Sequence, residues 1–537
     1  MLPAASILLA CLTALSSGCG GAGAPKGELR LNLGAGTVSL DPAQAWSGPS
    51  LDLCRALFVG LTEVDEGGRI VPGLAREWDV SADGRVYTFR LREDVVWSDG
   101  SRVTANDVRY GFVRTINPSI GAPYPAVLDE LVVGVADYNR GHSDGPEAVG
   151  VRALDSYTLE VSLRTPAVYF PAVATLNAFC PQPRRAIERF GDRWTEPENI
   201  LSDGAYRLSE WRQGQSLTLE RNADYYGAGD VKNERVRFVM VADPQAALGM
   251  YERGELDCLY GTGLAGNELG RVRADEELRK ELRVVGLAQT LCVGFDTLSP
   301  PFDRVDVRRA FSAAIDRERL TSEVLGSGEE PALGLCPPGA CGAAWPADEK
   351  TGIGFDVKKA RSYLTAAGYP DGKSFPKTTL VYAADNMSEK VAAALTAMWL
   401  QHLDVDVGME GRGTEDYPDS LSQEGPQVFL LWEAPEYPDA NSLLSEFRPQ
   451  STLNFGRYNS SRFEGLLLSA ATEEDAGKRR GLYEQAERLL CRDDSAFAAL
   501  LYGAELQLTK PYLERTYRSS GAQRFQEWRL KGVRDAG

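Results

Sequence analysis

The chain has 537 residues, enough for about three to four domain-sized units and an ample core. Its composition, 43% hydrophobic and 25% charged, is that of a folded soluble protein. A formal charge of −18 argues against a nucleic-acid partner, because binding phosphate needs a basic surface, and acidity alone mostly serves solubility without choosing a substrate.

Residues 1–19 have the pattern of a targeting segment. A short apolar core runs from Ile7 to Leu15 and ends in Ser16-Ser17-Gly18-Cys19. Small residues before a cysteine resemble the bacterial lipoprotein cleavage site, which would make Cys19 the lipidated N-terminus. An ordinary cleaved secretory signal is the alternative. A membrane span needs about 20 apolar residues, and no later stretch supplies them. Residues 20–27, rich in glycine and alanine, form a flexible tether.

Nine cysteines fit an oxidising compartment. Without Cys11 and Cys19 the remainder are Cys54, Cys180, Cys258, Cys292, Cys336, Cys341 and Cys491, an odd number that leaves at least one outside any intrachain pair. Cys336 and Cys341 flank a Pro-Pro-Gly-Ala turn, and a disulfide between them is expected. Zinc is a poor reading of these cysteines, since they are scattered and only His142 and His402 exist to assist.

In chain order, Leu29–Leu33 is a short strand, and Leu51–Leu61 has helical spacing at Leu53, Leu57 and Leu61. Tyr87, Phe89 and Leu91 alternate as a half-buried strand requires, between turn signals at Asp83-Gly84 and Asp99-Gly100. Thr104 caps the next helix with Asp107 three residues on, and Val108, Phe112 and Ile116 give it an inward face. Val151–Leu163 carries a second alternating strand. Asp243 and Pro244 open a helix that Gly254 closes. Val307, Ala310, Phe311, Ala314 and Ile315 share one face of a helix whose arginines are expected on the solvated side. Helices around Val391–Met398 and Leu482–Leu490 follow. Helices alternating with short strands imply an α/β architecture with mixed sheets. With no internal repeat and no long linker, the domains are expected to be discontinuous.

Asp83-Gly84-x-x-Tyr87-Thr88-Phe89-x-Leu91-Arg92, then Trp97-Ser98-Asp99-Gly100 and Thr104-Ala105-x-Asp107-Val108, resemble the family 5 solute-binding proteins of ABC importers. These are the oligopeptide-, dipeptide- and nickel-binding receptors. Leu40-Asp41-Pro42 resembles the family's first-strand exit, and Asp203-Gly204-Ala205-Tyr206 with Leu219-Glu220-Arg221-Asn222 extends the likeness, which covers nearly all of residues 29–530. It implies a periplasmic-binding-protein-like α/β fold of the class II, cluster C type: two lobes with mixed sheets, joined by a two-strand hinge. Lobe one would hold residues 28–52, 185–287 and 504–537, an extra domain (53–184) would be embedded in it, and lobe two would span 288–503. Ligand would be trapped between the lobes by hinge closure.

The same resemblance points to the cleft residues. A lobe-two strand ending in Trp432 leads into Ala434-Pro435-Glu436-Tyr437-Pro438-Asp439, one residue longer than the family's Ala-Asp-Tyr-Pro-Asp-Pro turn. The first aspartate of that turn pairs with a peptide's ammonium in peptide-binding members, and Glu436 is the candidate to replace it. A charge in the cleft implies a ligand of opposite charge. Tyr124 matches a ligand-covering tyrosine, Trp432 would line the cleft, and Tyr437 and Asp439 belong to the same turn. Gly36–Val38, with Thr37 and Val38, would present backbone to an extended ligand. Phe429 and Ser420 stand where oligopeptide receptors carry carboxylate-binding arginines, so apolar surface replaces a guanidinium fork. Asn454, Tyr458 and Tyr502 are weaker candidates, better suited to core or hinge.

Enzyme readings find little. A serine hydrolase needs a base, no Gly-x-Ser-x-Gly elbow accompanies His142 or His402, and Gly368–Ser374 is one residue short of a phosphate loop. No catalytic residue, metal site or cofactor is expected. The reading is therefore an exported, lipid-anchored, monomeric receptor at the periplasm or cell-envelope surface. It would deliver peptides to an ABC permease and ATPase. A metal chelate or an oligosaccharide is the alternative ligand, and a secreted hydrolase or a receptor-like lipoprotein without a transporter are the more distant alternatives.

Overall fold

The computed structural model describes residues 27–531 except 35, 37, 47, 123–125, 144, 261–263, 265, 343–350 and 519–521. Cys19, Thr37 and Tyr124 lie outside the described residues. Among the described residues no helix is long and apolar enough to cross a membrane.

Three sheets carry the architecture. The first has strand order Glu28–Leu33, Arg235–Met240, Ser216–Arg221, Tyr206–Arg212. Its first pair is parallel and the others antiparallel, hence a mixed sheet. The second, Ala75–Val80, Val86–Leu91, Thr158–Ser162, Val151–Asp155, is wholly antiparallel. The third has six strands in the order Glu330–Pro331, Phe497–Leu508, Leu282–Phe295, Val428–Glu433, Thr378–Ala383, Val407–Arg412.

The alternation of Tyr87, Phe89 and Leu91 buries all three, and they belong to one core that runs through the first two sheets. The helix Ala105–Thr115 starts at Thr104, whose backbone N–H and hydroxyl both donate to Asp107 Oδ2, at 2.8 and 2.7 Å. Its Val108, Phe112 and the following Ile116 are fully buried. Helix Pro244–Glu252 is capped by Asp243, whose Oδ1 accepts from Gln245 N at 3.1 Å. The alternating strand expected within Val151–Leu163 forms as Thr158–Ser162, burying Leu159 and Val161, and the strand Val151–Asp155 precedes it in a hairpin. Asp155 Oδ1 accepts from Tyr157 N at 2.8 Å and folds the chain back on itself, because a side-chain oxygen bonded two residues ahead forms a turn in place of a ladder.

In the third sheet the central strand Leu282–Phe295 is sandwiched. Leu291, Val293 and Phe295 face one core and Cys292 faces another, as buried sheets covered on both sides require. The helix Val305–Ala313 presents Val307, Ala310 and Phe311 inward, but its arginines do not all face water. Arg308 is buried, donating to the carbonyls of Phe302, Asp494 and Ser495. Arg317 is buried as well and donates to Ala499 O at 2.6 Å. Arg308 is held by carbonyls of the segments before its own helix and before the strand Phe497–Leu508, and Arg317 by a carbonyl within that strand, long-range demands that helical periodicity does not reveal.

Two strands join the lobes. Leu282–Phe295 and Phe497–Leu508 pair antiparallel, Leu282 to Gly286 with Leu508 to Ala504, then Thr290 to Gly294 with Tyr502 to Phe497. Between these runs the register shifts, leaving residues 287–289 out of the ladder. Cys258 bridges the strand Glu28–Leu33 at Leu31 and the hinge strand's end at Thr509, so one end of the ribbon is stitched to the first sheet while the other lies in the third. Cys336 and Cys341 form a disulfide, Cα atoms 5.8 Å apart, across the Pro337–Ala340 turn.

Candidate binding cleft

Where the two lobes face each other a cavity of about 480 Å³ opens, within the usual range for small-ligand sites. The helix Gly48–Leu57 and the strand Thr62–Val64 supply one wall, with Thr175–Asn177 and the C-terminal Ala522–Gln526 beside them. The loop Ala434–Pro438, which follows the strand Val428–Glu433, supplies the opposite wall. Ala288, in the unpaired stretch of the hinge, and Ala340, inside the disulfide turn, also line it. The cavity thus touches both lobes and the joint between them.

Glu436 lies on the lobe-two wall. Its amide donates to Ser442 Oγ at 2.8 Å, which holds the loop against the helix Ala440–Leu444. The surrounding protein desolvates the Glu436 carboxyl and raises it to about 7. Tyr437 also lines the cavity, but its ring is buried and stacked on Tyr169 of the opposite lobe. Behind the wall, Glu433 and Glu446 are hydrogen-bonded carboxyls. Burial lifts Glu433 to about 7, and burial and then the Glu433 charge lift Glu446 further.

The lobe-one wall sets two guanidinium groups, Arg55 and Arg524, among two carboxyls, Asp52 and Glu63. Glu63 accepts from Gly60 N at 2.8 Å through Oε1 and from Arg524 Nη2 at 2.7 Å through Oε2. Burial works to raise Glu63, but Arg55 and Arg524 outweigh it and hold the carboxyl below its ordinary range. Asp52, on the same wall, accepts from the Tyr260 hydroxyl and from Gln523 N. Burial nevertheless raises it to about 7. Trp46, 73% exposed, stands at this wall as an uncovered aromatic face.

The structure brings together only part of the sequence-derived set. Glu436 and Tyr437 line the cavity. Phe429 does not: it is fully buried against Phe455 and Phe497, because alternation along its strand turns it into the lobe-two core. Asp439 is turned away too. Its Oδ1 caps the helix Ala440–Leu444 through Asn441 N, and its Oδ2 pairs with Arg479. Tyr502 is buried in the lobe-two core, on the hinge strand opposite Thr290. Trp432 is half-buried, paired with Leu291 and packed on the lobe-two core. Val38 packs against the lobe-one core, and neither it nor Trp432 is among the cavity-lining residues. Asn454 bonds the carbonyls of Arg448 and Tyr458, and the Tyr458 hydroxyl donates to Asp494. Both serve the scaffold.

Sequence reasoning missed Trp46, Asp52, Arg55, Glu63, Asn177, Arg524 and Gln526. One signal was present: Asp52 and Arg55 interrupt an otherwise apolar helical run, and charges there need partners. The remainder come from segments hundreds of residues apart, which no local pattern links.

The family description "bacterial extracellular solute-binding proteins, family 5 Middle" matches residues 69–454. The periplasmic oligopeptide-binding protein OppA of Escherichia coli is 30% identical over 498 residues, 91% of this chain and 90% of that protein. Among solved structures, the MppA periplasmic murein tripeptide binding protein in its unliganded open form superposes with a TM-score of 0.82 at 28% identity, covering 94% of this chain and 98% of that one. A second structure, the murein tripeptide binding protein MppA of Escherichia coli, gives 0.73 at 28% identity, covering 94% and 99%.

Proposed function

The chain belongs to the bacterial extracellular solute-binding proteins of family 5, and from that membership we propose that it captures peptides between its lobes and delivers them to the permease and ATPase of an ABC importer. Relatives named for oligopeptide and murein peptide binding support the ligand class. The single observation that carries the reading is Glu436, a residue of the interlobe cavity's lining whose desolvated carboxyl has no cationic partner among the described residues. A peptide's α-ammonium is the complement of that group, and its arrival restores the ionised form that desolvation disfavours. Closure about the unpaired residues 287–289 then brings the lobe-one wall onto the ligand.

Lipidation at Cys19, with cleavage between Gly18 and Cys19, would tether this receptor to the envelope surface, with residues 28–52, 185–287 and 504–537 as lobe one, 53–184 as the embedded domain and 288–503 as lobe two. Processing that is unchanged in Cys19→Ala would refute the anchor. The ligand reading is tested by thermal shift of residues 20–537 with free and N-acetylated peptides. A ligand at a hundredfold excess over its dissociation constant stabilises by about 2.7 kcal/mol. A shift with the free amine that disappears on acetylation is expected. An equal shift with both removes Glu436 as the anchor.

A further inference from the structure

Three buried polar atoms from residues on the cavity wall have no hydrogen-bond partner among the described residues: Arg55 Nη1, Asn177 Nδ2 and Gln526 Oε1. Buried polar groups are normally satisfied, so an unsatisfied one beside a binding cavity asks what completes it. Two of the three are donors on one wall. Asn177 Oδ1 lies 4.0 Å from Cys180 Sγ. Burial raises that thiol to about 12, with the Arg55 charge pulling against it.

Glu63 does not complete Arg55. Its oxygens accept from Gly60 N and Arg524 Nη2, and Arg55 Nη1 stands 3.7 Å from Oε1, an ion pair beyond hydrogen-bond reach. The chain nevertheless makes room for the guanidinium, since a Cβ at Gly60 would collide with it. Arg524 is hydrogen-bonded to Glu63 on this wall, whereas Arg55 Nη1 has no hydrogen-bond partner among the described residues.

We propose that Arg55, with Asn177, receives the C-terminal carboxylate of a short peptide whose amine is held at Glu436, so that the cleft selects zwitterionic peptides of about three residues. This rests on the amine-anchor reading above. A guanidinium fork suits a carboxylate better than any other side chain. The lobe-two positions where the resemblance would place carboxylate-binding arginines hold Phe429, sealed in the core, and Ser420, whose hydroxyl is spent on Tyr417 O. The receiving cation therefore comes from the other lobe. A ligand anchored by its amine to one lobe and its carboxylate to the other makes contacts complete only when the lobes close, and this is what a closure-driving ligand needs. A cavity of about 480 Å³ has a mean width of about 10 Å, the span of about three extended residues at roughly 3.3–3.6 Å each.

The test is calorimetric titration of residues 20–537, as wild type, Arg55→Met, Asn177→Ala and Glu436→Gln, with trialanine, N-acetyl-trialanine, trialanine amide and nona-alanine capped for solubility by internal serines. Amidation is expected to weaken wild-type binding by about tenfold or more, and to cost under threefold in Arg55→Met. Asn177→Ala should fall between and carries the test if Arg55→Met does not fold by circular dichroism. The nine-residue peptide should bind less tightly than the tripeptide. An amide that binds wild type as well as the acid does, or an amidation penalty undiminished in both variants, overturns the carboxylate seat. The acetylated peptide and Glu436→Gln report on the amine anchor separately, and absence of binding by every peptide overturns both.

Discussion

Tyr437 of lobe two lies stacked on Tyr169 of the embedded domain, ring centroids 6.1 Å apart and planes 9° from parallel. The contact carries a lobe-two side chain into the lobe-one core, where Tyr437 is only 2% exposed. Arg479 completes the joint, its guanidinium 5.9 Å from the Tyr169 ring centre while pairing with Asp439. The loop that bears Glu436 is therefore fixed by contacts across the lobes as well as within its own. Removing the ring in Tyr437→Ala should cost about 3–5 kcal/mol, as truncation of a buried aromatic does, and loosen the loop. Tyr437→Phe keeps the stack and loses only the bond from Asn441 Nδ2, 3.1 Å long, at about 1 kcal/mol. Denaturant melts of the two variants check the ordering. Equal losses would mean that the hydroxyl, and not the stack, fixes the loop.

Peptide affinity should depend on pH through Glu436. Desolvation puts its carboxyl at about 7, and only the ionised form pairs with an ammonium. Affinity should therefore be greatest between about pH 7 and 8, fall by up to about tenfold per pH unit below 7, and fall again above about 8 as the peptide's own α-amino group loses its proton. In Glu436→Gln the dependence should flatten at a weaker overall affinity. Titrations from pH 5 to 9 decide the matter, and a wild-type profile already flat across pH 6–8 removes the carboxylate from the ligand contact.

How much of this was legible in the sequence follows from the range of each interaction. The Thr104 cap, the Tyr87-Phe89-Leu91 strand and the Asp243-Pro244 helix start are set by neighbours within four residues, and they form as their patterns imply. Within Val151–Leu163 the alternating strand forms at Thr158–Ser162, while the partner strand Val151–Asp155 was not singled out, since the reversal between them rests on the Asp155 side-chain bond. The family-like turn led to Glu436 because that loop is contiguous. Phe429 was placed in the cleft by position, but which face of a buried strand meets a cavity depends on the sheets packed around it. The lobe-one wall was invisible for another reason: Arg55, Asn177 and Arg524 meet only after discontinuous segments fold together.

Glu433 offers a stability test independent of ligand. Its folded carboxyl sits at about 7, above its ordinary value, because burial outweighs the hydrogen bond with Glu446 that works to lower it. A group raised in this way stabilises fully below its unfolded value of about 4.5 and loses that contribution as pH climbs through 7. Glu433→Gln removes the ionisation while keeping a hydrogen-bonding head for Glu446. The variant should match wild type near pH 5 and melt higher at pH 8, by about 2–4 °C for each kcal/mol recovered. Calorimetry at the two pH values measures this, and the same difference at both would assign the effect to packing.

Arg308 is the sternest test of lobe two. Its guanidinium reaches Phe302 O at 2.6 Å, Asp494 O at 2.5 and 3.0 Å and Ser495 O at 3.2 Å. These carbonyls belong to the approach to its own helix and to the turn before the hinge strand Phe497–Leu508. Burial lowers the group to about 10, with Asp494 opposing that shift, so the cation is held mainly by neutral carbonyl dipoles. Arg308→Met keeps the side-chain volume but leaves those oxygens buried and unpaired, which should cost about 3–5 kcal/mol. Arg308→Lys restores a charge but cannot span the same set of carbonyls with three donors on one nitrogen, and it should recover less than half of the loss. The turn anchors one hinge strand and lies far in sequence from the cavity wall. Both variants should therefore lower the unfolding midpoint while binding trialanine within about threefold of wild type at 10 °C, where enough folded protein remains. Loss of affinity in step with loss of stability would instead mean that Arg308 sets the hinge angle, and that the lobe-two core and the cleft are coupled.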